Sequence, residues 1–329
     1  MTDRRTVLTG TGRRRSWSFL LGILVSLGCV IWAVGALDWI AVRDALAGAN
    51  PLWIGLGVLT VLLTIAVRLV RWMALLYPRQ SRPGNVLAAM LVGQLLNYFA
   101  PARAGDVARA YLLGDAEGES KAWALGTVAL EKMWDIWALL TVVGILTLMT
   151  VLPDWLVAPV QGLTVLAILV LVVTLLALRY RSGAVAALIR FGRHLPSRFN
   201  TGLRHSAERL LDGLEGLRRP RVWFWAVIWS VAVWGIGALT NHTVLLAFGL
   251  SLPFTASLML LAVLQMGVAV PSLPGRVGVF EGLCIVTLAL YGVEREAAFA
   301  VGLVLHVVVF VPPILLGLYY AWRIKGIRP

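Results

Sequence analysis

Long uninterrupted apolar blocks, rather than alternating positions, dominate this chain. Stretches at about 17–37, 52–77, 121–151, 160–178, 222–248 and 297–322 are each near the roughly 20 residues needed to cross a hydrocarbon core about 30 Å thick. Asn50 followed by Pro51 marks a helix start, because proline in the first turn lacks only an N–H that would be unpaired anyway. Two further apolar segments, 84–100 and 254–270, have 17 residues each and reach only about 26 Å as helices. Each ends at a proline, Pro101 and Pro271, which predicts helices that enter the membrane and break there. The pattern predicts an all-α polytopic membrane protein with six to eight transmembrane helices, including two re-entrant, broken-helix hairpins.

Charge sets the expected orientation. Arg4, Arg5, Arg13, Arg14 and Arg15 precede the first span, ten arginines fall in 179–221, and Arg323, Lys325 and Arg328 close the chain. The alternate connections carry little beyond Arg43 and Arg295. Basic loops stay on the cytoplasmic side, so both termini are expected in the cytoplasm of a bacterial-type inner membrane. The apolar stretch after Arg15 is too long for a secretory signal core and is expected to remain as the first span. Residues 1–16 then form a basic tail, 17–323 a single membrane domain and 324–329 a second tail. Within 179–221, Leu188, Phe191, Leu195, Phe199, Leu203, Leu210, Leu214 and Leu217 recur at helical spacing, and Pro196 divides the segment into two helices. A basic amphipathic helix of this kind lies in the cytoplasmic interface against anionic lipid headgroups, or packs on the protein's own base. The arginine density favours the first.

Composition narrows the function classes. With 60% hydrophobic and 14% charged residues, the chain cannot cover a soluble surface. The net charge of +13 sits beside membrane spans and does not point to nucleic acid. Cys29 and Cys284 lie in apolar runs, and His194, His205, His242 and His306 are scattered. No metal-ligand spacing, nucleotide loop or cofactor motif is present, so neither a metal nor a cofactor is expected.

The two broken segments resemble each other. Gln94, Pro101 and Gly105 recur as Gln265, Pro271 and Gly275, and a charge follows each glycine, Asp106 or Arg276. One unit (about 52–151) enters from the cytoplasm and the other (about 222–322) from outside, as expected of an inverted repeat. Such repeats build transporters whose substrate site lies where broken helices expose backbone groups that lipid cannot satisfy. Ionisable residues inside spans are costly and mark functional candidates. Arg68 and Arg71 share a face of the second span. Arg103, Asp106 and Arg109 follow the first break. Glu131, Lys132 and Asp135 lie about a third of the way into the 121–151 helix. Arg276 and Glu281 flank the second break, His306 lies midway in the last span, and Asn241 and His242 lie late in the fifth. Several have bland readings: Arg68, Arg71 and Lys132 can snorkel, Asp106 can cap a helix, and Glu131 and Asp135 can pair with Arg103 or Arg109. Arginines beside carboxylates suit a lipid headgroup carrying a phosphate and an amine.

NYFAPARAGDVAR at 97–109, EKMWD at 131–135 and PSLPGRVGVFE at 271–281 resemble, in this order, the lysylphosphatidylglycerol synthase transmembrane-region family, over roughly 17–323. The resemblance implies a lipid-handling polar core. It would be made by Pro101, Arg103, Gly105, Asp106, Arg109, Glu131, Asp135, Pro271, Pro274, Gly275, Gly278 and Glu281. Arg276 stands where a small residue is usual and His306 where an arginine is common. The family pairs this region in some members with a soluble aminoacyl-transferase domain, which this sequence lacks, so lysyl transfer from tRNA is not expected.

The expected function is a flippase-like transporter moving a phosphate-bearing, aminoacylated or glycosylated lipid, with no catalytic residues. An intramembrane lipid-modifying transferase using Asp106, Glu131 or Glu281 as base, and a non-catalytic subunit of a lipid-synthase complex, are the alternatives. A homodimer or a separate synthase is the expected protein partner.

Overall fold

A computed structural model describes residues 27–35, 37–100, 103–192, 202–267 and 274–325. Among them the secondary structure is helical, without strands. We number the helices α1 (27–34), α2 (Trp39–Gly48), α3 (Pro51–Leu76), α4 (Pro83–Phe99), α5 (Ala104–Glu117), α6 (Lys121–Met149) and α7 (Asp154–Arg179). They continue as α8 (Arg181–Gly192), α9 (Leu203–Leu214), α10 (Pro220–Ala247), α11 (Phe254–Met266), α12 (Val279–Ala289) and α13 (Arg295–Lys325). Five of these, α3, α6, α7, α10 and α13, are long and apolar enough to cross a membrane. The chain is therefore a multi-pass, all-α membrane protein. The basic tail, residues 17–26 of the expected first span, Pro101, Pro196, Pro271 and Arg328 lie outside the described residues.

Local chemistry explains the helix starts. Asn50 accepts the Leu52 N–H at 2.9 Å, so α3 begins at Pro51 as expected. Asp38 accepts from Ile40 and Ala41 ahead of α2, and Ser120 accepts the Trp123 N–H ahead of α6. Helix α7 starts at Asp154, earlier than the expected 160, with Pro159 inside it. As the sixth residue, Pro159 forgoes the one intrahelical bond that its N–H would make to the Trp155 carbonyl.

The residues form two compact units. One comprises Leu59–Asn97, Ala102–Gly237 and Pro312–Pro329. Its core joins Trp72, Leu75 and Leu76 of α3 to Val86, Met90 and Leu91 of α4, Leu113 of α5, and Trp123, Leu130 and Trp134 of α6. Helix α7 presents Val165, Leu166, Ile168, Leu169, Val172 and Val173 outward, as suits a lipid-facing span.

Helix α9 packs its apolar stripe on the protein itself. Its Ala207, Leu211 and Gly213 are buried, and it packs on α6, α7 and α8. A side-chain carbon on Gly126 of α6 would strike the Leu210 carbonyl and come within 2.9 Å of Gly213 Cα; one on Gly213 would strike the Trp123 carbonyl. The two backbones thus approach as only glycines permit. Arg181 fastens the start of α8 to the C-terminal half of α9 through Asp212, Glu215 at 2.6 Å and the Glu208 carbonyl at 3.1 Å. The hydrogen bond to Asp212 is the largest influence holding its guanidinium above the ordinary arginine value.

The other unit comprises Met1–Val58, Tyr98–Pro101 and Ala238–Val311. Here α11 packs on α12, and Asn241 donates to the Ser257 carbonyl at 3.2 Å while His242 meets its hydroxyl at 3.1 Å. Arg295 bonds the Trp32 carbonyl and lies 4.6 Å over the Trp32 ring. A side chain at Gly302 of α13 would come within 3.1 Å of Cys284 Cβ and 3.3 Å of Glu281 Cα, so this glycine lets α12 close on α13.

Overpacking a tight contact costs about 1–3 kcal/mol. Gly126→Val is therefore expected to lower the thermal unfolding midpoint in detergent. Gly144→Ala, in the same helix with open space around it, is expected to leave the midpoint unchanged or raise it. Equal midpoints for the two variants would refute the backbone contact between α6 and α9.

Candidate functional site

Helix α6 carries Glu131 ten residues after its first residue, about 15 Å along the axis, deep enough to leave bulk water. Its carboxylate is buried and is the hub of a charged cluster. Arg71 of α3, fully buried, reaches Glu131 Oε1 at 3.0 Å, Asp135 Oδ1 at 2.7 Å and the Ser230 hydroxyl of α10 at 3.3 Å. Arg109 of α5 places Nη1 at 2.8 Å from Glu131 Oε2 and Nε at 3.6 Å from Asp106. Its guanidinium lies 4.8 Å from the Trp72 ring, whose own N–H donates to Thr127 at 3.3 Å. Arg68 stands 3.9 Å from Glu131 and donates to Gln94 at 3.4 Å. Lys132 lies 3.7 Å from both Asp106 and Asp135.

The spacing explains the convergence. Arg68 and Arg71, and Lys132 and Asp135, are three residues apart on their helices, so each pair shares a face. Arg109 reaches the hub because α5 lies against α4: a side-chain carbon at Gly105 would strike the Gly93 carbonyl, and one at Gly93 would come within 2.7 Å of Arg109 Cβ. Gly105 therefore serves close approach. Asp106 receives the Asn97 amide at 3.1 Å and does not cap α5: the capping position belongs to Arg103, whose side chain makes no capping bond.

Charge in the cluster does not balance. Four cations, Arg68, Arg71, Arg109 and Lys132, face three carboxylates, Asp106, Glu131 and Asp135. Nε and Nη2 of Arg109 and Nε of Arg71 are buried without hydrogen-bond partners among the described residues. Two acceptors beside them, Glu131 Oε2 and Asn97 Oδ1, also lack hydrogen-bond partners among the described residues. The excess positive charge and the unpartnered guanidinium N–H groups, each costly when buried, are what a further anionic group would answer. The rim is more open: the side chains of Arg68, Lys132 and Asp135 retain 24%, 29% and 27% of their surface.

Other expected residues gather elsewhere. Glu281 of α12 is buried, accepts the Gly278 N–H at 2.7 Å and lies 2.6 Å from Nδ1 of His306 in α13. Pro274, Gly275 and Arg276 form a 3-10 turn. Gly275, Arg276 and Gly278 all have positive φ, at 77°, 62° and 85°, which for the glycines costs nothing. Arg103 is exposed, with φ 52°, and reaches neither Glu131 nor Asp135; of the expected pairings Arg109 makes the one with Glu131, while Asp135 is met by Arg71 and Lys132. Arg68 and Arg71 do not simply snorkel, since both engage Glu131.

Sequence reasoning named Gln94 in the repeat and Asn97 in the first motif without placing either in the site, and it missed Ser230. The first two sit three apart on α4 beside the break and were legible as one polar face; Ser230 is a lone hydroxyl in an apolar span and gave no signal.

A model of the lysylphosphatidylglycerol synthase TM region matches residues 19–317. Curated relatives include a UPF0104 membrane protein of Methanothermobacter thermautotrophicus, 25% identical over 87% of this chain and 89% of its own length. A second protein of that name and organism is 21% identical over 97% and 93%. A UPF0104 membrane protein of Methanocaldococcus jannaschii is 24% identical over 68% and 91%. No solved structure matches.

Removing one partner of a buried ion pair costs about 3–5 kcal/mol because the other charge is left uncompensated. Glu131→Ala, which leaves Arg71 with Asp135 alone and Arg109 with only the 3.6 Å contact to Asp106, is expected to lose stability on that scale in thermal unfolding in detergent. Asp135→Asn, at the more open rim, should lose clearly less. The reverse order would remove Glu131 from the centre of the cluster.

Proposed function

The chain belongs to the lysylphosphatidylglycerol synthase transmembrane-region family, and on that premise we propose that it moves a phosphate-bearing lipid between membrane leaflets. The observation that carries this reading is the one-charge excess at Glu131, combined with the unpartnered guanidinium N–H groups of Arg109 and Arg71. A phosphodiester brings one negative charge and acceptor oxygens suited to the forked geometry of arginine. It would bind at the rim beside Arg68 and Lys132 and meet the buried N–H groups behind them. Asp135 and Asp106, both partly open, suit an amine on the same headgroup, as in an aminoacylated lipid. The distribution of Lys and Arg supports an inner-membrane protein with both termini in the cytoplasm. We read the chain as a transporter and not an enzyme, because among the described residues the carboxylates around Glu131 are engaged chiefly by arginines and Lys132. The sequence has no nucleotide-binding loop, which favours exchange or ion-coupled movement.

Reconstitution tests this directly. Vesicles containing only the purified protein should move fluorescent phosphatidylglycerol faster than empty vesicles. A charge-assisted hydrogen bond is worth about 1.5–3 kcal/mol, so Arg109→Lys, which keeps the charge but loses the fork, should slow movement roughly tenfold or more. Arg68→Ala, at the rim, should slow it less while melting like the wild type. Failure of folded protein to move phosphatidylglycerol or an amine-bearing phospholipid would defeat the proposal. Recovery of chemically altered lipid by mass spectrometry would replace it with an enzymatic role.

A further inference from the structure

We propose that Glu281 and His306 form a proton-binding pair that loads and unloads as lipid moves. The coupling rests on the transport reading above; the proton binding does not. His306 lies eleven residues into α13, about 17 Å along its axis, which is near the middle of a core about 30 Å thick. An uncompensated charge is costly at that depth. The pair is built for one shared proton. Glu281 Oε2 is held by the Gly278 N–H at 2.7 Å, and Oε1 faces His306 Nδ1 at 2.6 Å. The imidazole is held in place by Phe280 and Phe310, whose ring centroids lie 4.8 Å and 4.3 Å away. The Tyr98 ring lies tilted against Phe310, with centroids 4.7 Å apart. Gly302, one turn before His306, permits the approach of α12 that sets the 2.6 Å contact. Among the described residues Nε2 of His306 makes no hydrogen bond, and the side chain keeps 15% of its surface.

The surroundings contain few competing charges. Cys284, one turn further along α12, is a buried thiol. Helix α11 has no ionisable side chain between Phe254 and Met266, and α13 has none but His306 between Glu296 and Tyr319. Helix α1 brings the Trp32 ring against Gly282. Arg276, two residues before Gly278, is the nearest cation along the chain.

The proton balance is simple. Unloaded, the pair is a Glu281 carboxylate accepting from the Nδ1–H of a neutral His306, with net charge −1. A proton from water adds to the Nε2 lone pair, and the Nδ1 proton moves toward Glu281 Oε1. The products are a neutral carboxylic acid and a neutral imidazole bearing its proton on Nε2, and only N–H and O–H bonds change. The loaded pair is uncharged and compatible with a dry surround; the unloaded pair needs water at Nε2. Loading is therefore tied to whichever conformations hydrate His306.

Two measurements decide the matter. The first is proton uptake by the purified full chain after an acid jump, read with an indicator dye. Wild type should bind about one proton more than the Glu281→Gln/His306→Gln double variant, and equal uptake would overturn the pair as a proton site. The second uses wild type alone, in vesicles of phosphatidylglycerol and phosphatidylethanolamine with the membrane potential clamped at zero. One proton per lipid should sustain about a tenfold leaflet asymmetry of fluorescent phosphatidylglycerol for each unit of pH difference. Rapid lipid movement that ends in an even distribution would overturn the coupling. Extra proton uptake with no lipid movement at any pH would uphold the pair and defeat the transport reading instead.

Discussion

The structure of one compact unit depends on a single constraint: a carboxylate that water cannot reach must be met by cations. Glu131 sits in a membrane helix, and lipid offers it no hydration. Arg71 from α3 and Arg109 from α5 both come to it, and each brings a helix. The glycines at 93 and 105 follow from this, since α5 must lie against α4 closely enough for Arg109 to arrive. So does the register of α3, in which Arg71 and Trp72 are both fully buried. A network of this kind gains little over an apolar core in stability, but its partners accept few alternative arrangements. It therefore specifies how three helices meet while leaving N–H groups that a ligand can use.

Much of this was legible in the sequence because membrane helices obey length rules. The span expected at 52–77 is Pro51–Leu76, and the one at 222–248 is Pro220–Ala247. The buried charges were also legible, since an ionised side chain in an apolar run has no bland surface to occupy. Their pairing was not. Arg103 and Arg109 both follow the first break, yet Arg103 takes the residue before α5 and faces outward, while Arg109 lies a turn and a half inside the helix. Sequence spacing alone could not tell a residue before the helix from one within it. The amphipathic pattern of α9 was equally ambiguous, because an apolar stripe reads the same whether it faces lipid or protein. The sharper signal was a pair of glycines, Gly126 and Gly213, on helices that have to touch.

The internal resemblance has a different register in three dimensions. By sequence, Asp106 aligns with Arg276, each directly after a glycine. By backbone geometry, Asp106 corresponds to Glu281. Each is the third residue of a short helix whose preceding residue has positive φ, Arg103 in one and Gly278 in the other. An acid at that position answers the positive end of the helix dipole. The two then diverge. Asp106 receives an amide and neighbours two cations, whereas Glu281 turns back to its own backbone and to a histidine. The same local device thus joins a cluster of ion pairs in one unit and a carboxylate–histidine pair in the other.

The glycine contact between α6 and α9 has a mechanical consequence. Two helices meeting backbone to backbone have no flexible side chains between them to absorb displacement, so they move as one rigid lever. Glu131 is five residues along α6 from Gly126. A tilt that re-seats Glu131 among its arginines would therefore swing α9 and its exposed Arg204 by a comparable angle. Events at a buried carboxylate would then be displayed as movement of charge on the exposed side of α9.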